Sequence, residues 1–247
     1  MNSLVIMNPR RDETLDTIKG VKLFQSKRGY RFSMDAVLLE NFIKAGPSAR
    51  GIELGTGSGI ISILLATRLK KTKITGVEIQ KSLAENARRN IKLNNLGDRI
   101  DILEADILSL KNFFPANKFD FVFSNPPFRK TRTGLISDDN ERAAARHEIN
   151  IKLPGLINTA SYLLKNAGKF YLIYHPFRLI ELMSLLQSKH LEPKRMRFVH
   201  SKAGEDAKMA LIEAAKNSGA WLKVEPPLYI YDEDGEYTSE VKRIYEG

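Results

Sequence analysis

A short glycine-rich segment between a strand-like run and an amphipathic run constrains the fold more than any other feature. Residues 50–54 form the strand-like run, Gly55, Gly57 and Gly59 follow, and residues 60–69 carry apolar side chains at helical spacing. Glycine allows a sharp backbone turn because it has no Cβ atom. The pattern therefore predicts a strand, a tight turn and a helix, which together open a βαβ unit.

The same alternation continues along the middle of the chain. Further strands are predicted at residues 73–79, 100–104, 119–124 and 169–174. Helices are predicted at residues 82–94, 153–165 and 177–189. Strands that alternate with helices in this way form a parallel sheet. Strand-like runs joined by turns then occupy residues 197–200, 209–214 and 221–224. This change of pattern predicts an antiparallel C-terminal end to the sheet.

Two segments lie outside the alternation. Residues 1–49 precede the first core strand, and we interpret them as an extension that contributes to the mouth of the functional site. Residues 50–247 would then form the main domain. Within it, residues 129–150 make a long, polar and basic connection. Such loops in compact domains are usually functional or disordered, and this one is interpreted as a substrate loop.

Composition and charge narrow the classes of protein to consider. The 39 Lys and Arg against 29 Asp and Glu give a net charge of +10, and there is no cysteine. The surplus favours a polyanionic partner, because each neutralised phosphate releases condensed counterions. The lack of cysteine excludes disulfides, thiolate metal sites and a cysteine nucleophile. With no membrane-length apolar run and no secretion signal near the start, we expect a cytoplasmic protein without membrane contact.

The spacing of the glycines points to a ligand without phosphates. They read Gly-x-Gly-x-Gly over residues 55–59, whereas a pyrophosphate loop reads Gly-x-Gly-x-x-Gly. Glu78 ends the next strand about 20 residues on, where an acid accepts hydrogen bonds from ribose hydroxyls. Asp106 follows the strand after that and could accept an adenine amine, with Ile107 against the ring. Each acid alone could be a helix cap or a solvated charge. Together these features predict a nucleoside-type cofactor.

A second motif, Asn125-Pro126-Pro127-Phe128, follows the strand at 119–124. An exocyclic amine on a heteroaromatic ring is a poor nucleophile, because its lone pair is delocalised into the ring. The Asn125 amide oxygen and the Pro126 carbonyl could accept hydrogen bonds from its N–H groups and free the lone pair. Proline has no backbone N–H that would compete as a donor. Phe128 offers a face for stacking a planar base. The motif therefore predicts a site that activates a planar nitrogen. The structural alternative is a proline turn with an asparagine cap.

The two motifs together resemble class I S-adenosylmethionine-dependent methyltransferases. Residues 125–128 resemble the signature of enzymes that methylate adenine N6, cytosine N4, guanine N2 or glutamine amides. The resemblance implies a Rossmann-like α/β fold with a seven-stranded, mostly parallel sheet, an antiparallel C-terminal end and helices on both faces. It also implies S-adenosyl-L-methionine as the cofactor, with Glu53 near the methionine amino group. No metal is expected.

Flanking segments narrow the resemblance to the bacterial family that methylates N6 of the adenine 3′ of the anticodon, position 37, in tRNA1(Val). These segments are residues 29–39, 145–148, 226–231 and 237–238. The resemblance implies a tRNA (adenine-N6)-methyltransferase with tRNA as its partner. The alternatives are methylation of guanine N2 in ribosomal RNA, of DNA adenine or of a protein glutamine, and a catalytically inactive module that binds S-adenosylmethionine or RNA. Oligomeric state stays open between a monomer and a weak dimer.

Candidate site residues fall into three groups. Those at the reacting centre are Asn125, Pro126, Pro127 and Phe128. Those expected at the cofactor are Tyr30, Phe32, Asp35, Glu53, Gly55, Gly57, Gly59, Glu78, Ile79, Asp106, Ile107 and Asn125. Those expected to contact RNA are Arg129, Lys130, Arg132, Arg146, Lys194, Arg195, Arg197 and Lys202. His147 beside Glu148 does not have the spacing of a metal site, and we interpret it as part of a salt-linked loop.

Overall fold

The computed structural model describes residues 8–27, 33–126 and 153–246. Strands β1 (Glu13–Ile18) and β2 (Val21–Ser26) form an antiparallel hairpin apart from the main sheet. The core strands of the main sheet are β3 (Arg50–Leu54), β4 (Lys73–Glu78), β5 (Ile100–Glu104), β6 (Phe119–Ser124), β7 (Leu164–Tyr174), β8 (Leu191–His200) and β9 (Ala207–Lys216). Two short strands, β10 (Lys223–Val224) and β11 (Leu228–Tyr229), pair with β8.

Helices connect these strands. They are α1 (Met34–Phe42), α2 (Ile60–Arg68), α3 (Lys81–Leu93), α4 (Leu153–Leu163), α5 (Leu179–Ser188) and α6 (Ser239–Glu246). Short 3-10 helices span Ile107–Asn112 and Pro176–Arg178. No helix in the described ranges is long and apolar enough to cross a membrane.

The sheet has the order β10-β8-β9-β7-β6-β3-β4-β5. Strands β3 to β7 run parallel to one another, whereas β9 runs antiparallel to both β7 and β8. The predicted parallel sheet with an antiparallel C-terminal end is therefore confirmed, with β10 and β11 as short additions at its edge. Sequential strands step outward from β3 to β5, and β6 then begins on the other side of β3. This reversal is the topological switch point of the sheet.

Alternating side chains divide the core into two layers, one on each face of the sheet. Phe121 and Phe123 of β6 point into a cluster with α1, α2 and α6, whereas Val122 points into a cluster with α4 and α5. Successive residues of a strand face opposite sides. Because both faces of the parallel strands are covered, those strands read as apolar runs rather than as alternating ones.

The largest difference from the predicted elements lies between α4 and β7. The sequence predicts a helix that continues to residue 165 and a strand that begins at 169. In the structure α4 ends at Leu163, and buried Leu164 already pairs with Phe119. The register then shifts so that Phe121 pairs with Lys169, and Ala167 has φ 58° in the intervening irregularity. Burial of Leu164 against β6 ends the helix before the predicted Gly168 stop.

Gly51 sets the approach of β3 to β6, which gives a test of the core. A Cβ atom at Gly51 would lie 2.3 Å from Cζ of Phe121, inside the contact distance. Gly51→Ala should therefore lower the free energy of unfolding by roughly 1–3 kcal/mol, because overpacking displaces the ring. Gly97→Ala is the control, since a Cβ atom there meets nothing within 4 Å. Urea denaturation measures both, and equal stabilities would contradict this account of the packing.

Candidate active site

The ends of β3 and β6 lie side by side at the switch point of the sheet. Glu53 pairs with Phe123, and the hydroxyl of Ser124 donates a hydrogen bond to the carbonyl of Leu54 at 2.7 Å. Gly55 follows Leu54 and Asn125 follows Ser124, so the two motifs begin at neighbouring strand ends. Open α/β sheets bind ligands at the carboxyl ends of their strands at such a point. The fold thus brings both predicted motifs to one crevice.

The glycine-rich loop adopts backbone angles that favour glycine. Gly55, Gly57 and Gly59 have φ values of 79°, 56° and 84°. The amide of Gly55 donates to the carbonyl of Val77 at 3.0 Å, which ties the loop to the end of β4. Gly59 is the N-terminal cap of α2, and a Cβ atom there would lie 3.3 Å from the Ala87 side chain of α3. Gly59 therefore serves helix packing as well as the turn.

Glu78 holds the glycine-rich loop from the neighbouring strand. Its Oε2 atom accepts a hydrogen bond from the Gly57 amide at 2.9 Å, and its Oε1 atom accepts one from the Gln80 amide at 2.9 Å. Each carboxylate oxygen has more than one acceptor position, so both oxygens retain capacity for a further donor. The carboxylate is thereby oriented in advance for the pair of hydroxyls that a ribose would present.

Glu53 is a buried carboxyl directly beneath the loop. It accepts hydrogen bonds from the hydroxyls of Thr56 at 2.6 Å and Ser62 at 2.5 Å. Burial raises its pKa to about 7, and the two hydroxyls offset part of that effect. A buried acid of this kind is stabilised as a carboxylate when a cation approaches it. This environment suits the predicted contact of Glu53 with an ammonium group, which stays a prediction.

Ser58 is a buried polar residue within the glycine-rich loop itself. The hydroxyl of Ser58 is buried and has no hydrogen-bond partner among the residues that the structure describes. Most buried polar groups have partners, so an orphan in a ligand loop is informative. The loop, Glu53 and Glu78 together fit a cofactor that joins a ribose to a charged amino acid, as S-adenosyl-L-methionine does.

The third predicted cofactor element is less open than the first two. Asp106 caps the 3-10 helix by accepting a hydrogen bond from the Leu108 amide at 2.8 Å. Ile107 is 4% exposed and packs in the core layer of α4, whereas Ile79 at the end of β4 is 40% exposed. The structure thus presents Ile79 to a ring at the crevice more openly than Ile107. Adenine contacts by these residues stay predictions.

At the reacting centre, the structure describes Asn125, which is half-buried, and Pro126, which is buried. Asp35 lies in the first turn of α1, where burial raises its pKa and a hydrogen bond with the Ser33 side chain offsets part of that rise. The other predicted residues of these two groups lie outside the described residues, namely Tyr30, Phe32, Pro127 and Phe128.

Arg195, a predicted RNA contact, is part of an internal network. Its Nε and Nη2 atoms donate to Glu213 at 3.0 and 2.9 Å, and Nη2 also donates to the Phe42 carbonyl at 2.6 Å. Its guanidinium lies 3.7 Å from the centre of the Phe42 ring, and its side chain is 11% exposed. These contacts join α1 to the edge of the sheet. The structure thus gives Arg195 a structural role, and its contact with RNA stays a prediction.

Arg197, another predicted RNA contact, also bonds to groups within the protein. It donates to both carboxylate oxygens of Glu240 at 2.7 and 2.8 Å and to the Pro226 carbonyl at 2.9 Å, which fastens α6 to β8. Lys194 donates to the carbonyl of Gly219. Lys202 follows β8 at the carboxyl edge and stays a predicted RNA contact. The remaining predicted contacts lie outside the described residues, namely Arg129, Lys130, Arg132 and Arg146, as does His147.

The sequence analysis missed one aromatic pair at the carboxyl edge of the sheet. His175 and Phe177 follow β7, with ring centres 5.2 Å apart, and Phe177 is 64% exposed. The helical pattern of residues 177–189 placed Phe177 in a helix, whereas it lies in the 3-10 turn before α5. The signal available in the sequence was the His-Pro-Phe segment immediately after an apolar strand. Within the described ranges, no cluster of three or more potential metal ligands occurs.

Comparison with known proteins agrees with this geometry. The profile of the family described as Methyltransferase small domain matches residues 33–189. The chain belongs to this family. The methyltransferase is 34% identical over 205 residues to a tRNA1(Val) (adenine(37)-N6)-methyltransferase of Porphyromonas gingivalis, covering 80% of the chain and 79% of that relative. A relative of the same name from Vibrio campbellii is 29% identical, with 78% of this chain and 84% of the relative covered.

Solved structures confirm the fold of the methyltransferase. A protein from Agrobacterium tumefaciens, described as a predicted O-methyltransferase, superposes with a TM-score of 0.70 at 28% identity, covering 86% of this chain and 95% of that one. TYW2 from P. horikoshii, solved in complex with MeSAdo, has a TM-score of 0.60 at 16% identity, with 85% and 73% covered. The predicted Rossmann-like class I fold and the prediction of an S-adenosyl-L-methionine-dependent methyltransferase are thereby confirmed.

The raised pKa of Glu53 predicts how stability depends on pH. Because the folded-state pKa of about 7 exceeds the ordinary glutamate pKa of 4.5, the folded protein binds the extra proton between these values. The stability that this group contributes is present at low pH and is lost as pH rises through about 7. Without cofactor, Glu53→Gln should therefore be more stable than the wild type at about pH 8, by on the order of 3 kcal/mol, and similar to it at about pH 5.

Urea denaturation of both proteins across this pH range measures the difference. Glutamine retains an acceptor for the hydroxyls of Thr56 and Ser62, so the comparison isolates the titration. An identical pH dependence in the two proteins would show that Glu53 ionises in the folded state as it does in an unfolded chain.

Proposed function

We propose that the protein transfers a methyl group from S-adenosyl-L-methionine to the N6 amine of an adenine in tRNA, at position 37 beside the anticodon. The observation that carries this proposal is the pairing of β3 with β6 at the switch point, with the Ser124 hydroxyl bonded to the Leu54 carbonyl. A planar-nitrogen motif thereby begins beside a loop that fits the methyl donor. Relatives that carry the name of this activity, at 27–34% identity, support adenine in tRNA as the acceptor.

The chain would act chiefly by orientation. Glu78 would accept the ribose hydroxyls, and Glu53 would face the ammonium group. S-adenosyl-L-methionine, when bound, supplies an electrophilic methyl group. Asn125 Oδ1 and the Pro126 carbonyl would accept hydrogen bonds from the two N–H groups of the adenine amine and direct its lone pair towards that methyl group. The N–C bond would form as the methyl–sulfur bond breaks and the sulfur leaves as a thioether. The methylated nitrogen is itself a strong acid, so its proton can leave to solvent without a dedicated base.

The RNA would approach over the carboxyl edge of the sheet. The net charge of +10 favours a polyanion, and the basic segment at 129–150 adjoins the reacting motif in sequence. The target base must leave the helical stack to reach Asn125. We propose that Phe177, one strand away from Asn125 at this edge, stacks with a base beside the extruded adenine. A tRNA substrate also implies that the protein acts in the cytoplasm. We propose that it does so without membrane contact.

Two single substitutions should affect methyl transfer and cofactor binding separately. Asn125→Ala should lower kcat by at least 100-fold while leaving the S-adenosyl-L-methionine Kd within about threefold, because the amide orients only the acceptor amine. Glu78→Ala should instead weaken cofactor binding about tenfold or more, since it removes an acceptor and loosens the loop. Isothermal titration and transfer of labelled methyl to unmodified tRNA measure the two quantities. Equal effects of both substitutions on cofactor affinity would overturn the site assignment.

Digestion of the labelled RNA to nucleosides identifies the acceptor. N6-methyladenosine in tRNA, absent with Asn125→Ala, is the expected product. N2-methylguanosine would keep the chemistry of the site and replace the substrate. Labelled DNA or protein in place of labelled RNA would assign the remaining alternatives. Cofactor binding without any methylated product would indicate an inactive binding module.

Phe177 allows a test of the RNA path with a matched control. Phe177→Ala should weaken tRNA binding about five- to 100-fold, because stacking of a base on an aromatic ring contributes about 1–3 kcal/mol. Trp221 is equally exposed, at 65% against 64%, but precedes β10 at the opposite edge of the sheet. Trp221→Ala should leave tRNA affinity unchanged. Filter binding measures both, and equal losses would remove the carboxyl edge from the RNA path.

A further inference from the structure

Two asparagines one turn apart, Asn90 in α3 and Asn94 at its C-terminal cap, bind the backbone of the N-terminal hairpin. Asn94 Oδ1 accepts from the Lys22 amide at 2.9 Å, and Asn94 Nδ2 donates to the Lys22 carbonyl at 2.7 Å. Asn90 Oδ1 accepts from the Phe24 amide at 2.7 Å, and Asn90 Nδ2 donates to the Phe24 carbonyl at 3.2 Å. The side-chain amides thus pair with β2 much as a neighbouring strand would, which docks the hairpin on the methyltransferase domain.

Only Asn90 also reaches the cofactor loop. Its Nδ2 atom donates to the carbonyl of Ser58 at 3.0 Å, between Gly57 and Gly59. Asn86 Oδ1 lies 3.1 Å from the same Nδ2 group, whose two hydrogens are thus shared among three acceptors, and the Asn90 side chain is fully buried. Asn94 makes its remaining bond within α3, to the Asn90 carbonyl at 2.8 Å. Both asparagine side chains therefore bind the hairpin, but only that of Asn90 also binds the glycine-rich loop.

The bond to Ser58 acts where the loop backbone is most constrained. Gly57 and Gly59, on either side, have positive φ angles, and the Gly57 amide is held from the opposite side by Glu78. Without the Asn90 amide, the Ser58 carbonyl would be a buried acceptor that lacks this donor, and the loop would relax to satisfy it. A relaxed loop presents its amides to the cofactor in a different arrangement.

We propose that Asn90 is a positioning residue for cofactor binding, which couples the docked hairpin to the glycine-rich loop. The inference rests on the proposed use of S-adenosyl-L-methionine. Asn90 acts indirectly, by fixing the loop that would bind the cofactor. Other contacts that dock the hairpin do not extend to the loop. They include the Arg89 guanidinium over the Phe24 ring at 4.5 Å and the Lys19–Glu40 ion pair at 2.9 Å.

The matched variants Asn90→Ala and Asn94→Ala test the coupling. Both remove a pair of bonds to β2, so both should lower Tm. Only Asn90→Ala should also raise the S-adenosyl-L-methionine Kd, on the order of tenfold, because only it releases the loop. Isothermal titration of the folded proteins below their Tm measures this. Equal affinity in the two variants would overturn the inference, whereas a wild type that binds no S-adenosyl-L-methionine would overturn the proposed function instead.

Two further measurements remain decisive if Asn90→Ala fails to fold. Asn90→Asp keeps the acceptor for the Phe24 amide and removes the donors to Ser58 and Phe24. It should therefore weaken cofactor binding while retaining one of the hydrogen bonds that dock the hairpin. In the wild type, S-adenosyl-L-methionine should slow hydrogen exchange of the Phe24 amide in β2 by at least about threefold. Unchanged cofactor affinity in Asn90→Asp, or unchanged exchange at Phe24, would each contradict the coupling.

Discussion

The close pairing of β3 with β6 is the constraint on which the rest of the structure depends. Gly51 lies against the ring of Phe121, and the Ser124 hydroxyl bonds the Leu54 carbonyl at 2.7 Å. Because these strands are neighbours only at the switch point, their ends place the glycine-rich loop beside Asn125. A shift of either strand by one residue would turn its core side chains to the opposite face. Core packing therefore also fixes the register of the site.

Around this junction the protein concentrates polar groups that it does not fully satisfy. Glu53 is buried with a raised pKa of about 7, and the Ser58 hydroxyl has no partner among the described residues. These groups reduce the stability of the empty protein, and a cationic, hydrogen-bonding ligand would compensate for them. Asn90 and Glu78 hold the loop from opposite sides, so its shape is set before a ligand arrives. Such preorganisation reduces the free energy that binding must spend on ordering.

The charged residues show where sequence reasoning reached its limit. The sequence groups Lys194, Arg195, Arg197 and Lys202 as one basic cluster, but a linear cluster does not reveal which carboxylates lie nearby. Glu213 on β9 and Glu240 on α6 are distant in the chain and reach Arg195 and Arg197 only after folding. Such pairings depend on strand order, which propensity and periodicity do not encode.

Local chemistry in the sequence determined the class of this protein. The glycine spacing, the acids after successive strands and the Asn-Pro-Pro-Phe motif each act within a few residues, so the parallel sheet and a nucleoside-type cofactor follow from the chain alone. The methyltransferase class and S-adenosyl-L-methionine follow from the family resemblance that these motifs carry. Only the tertiary structure decided which side chains share the site. It paired β3 with β6 so that Asn125 and the glycine-rich loop follow neighbouring strand ends, and it joined Asn90 to both β2 and the loop. These contacts are long-range, because a folded sheet places residues far apart in sequence at one edge, and their geometry is fixed by register and packing rather than by local preference.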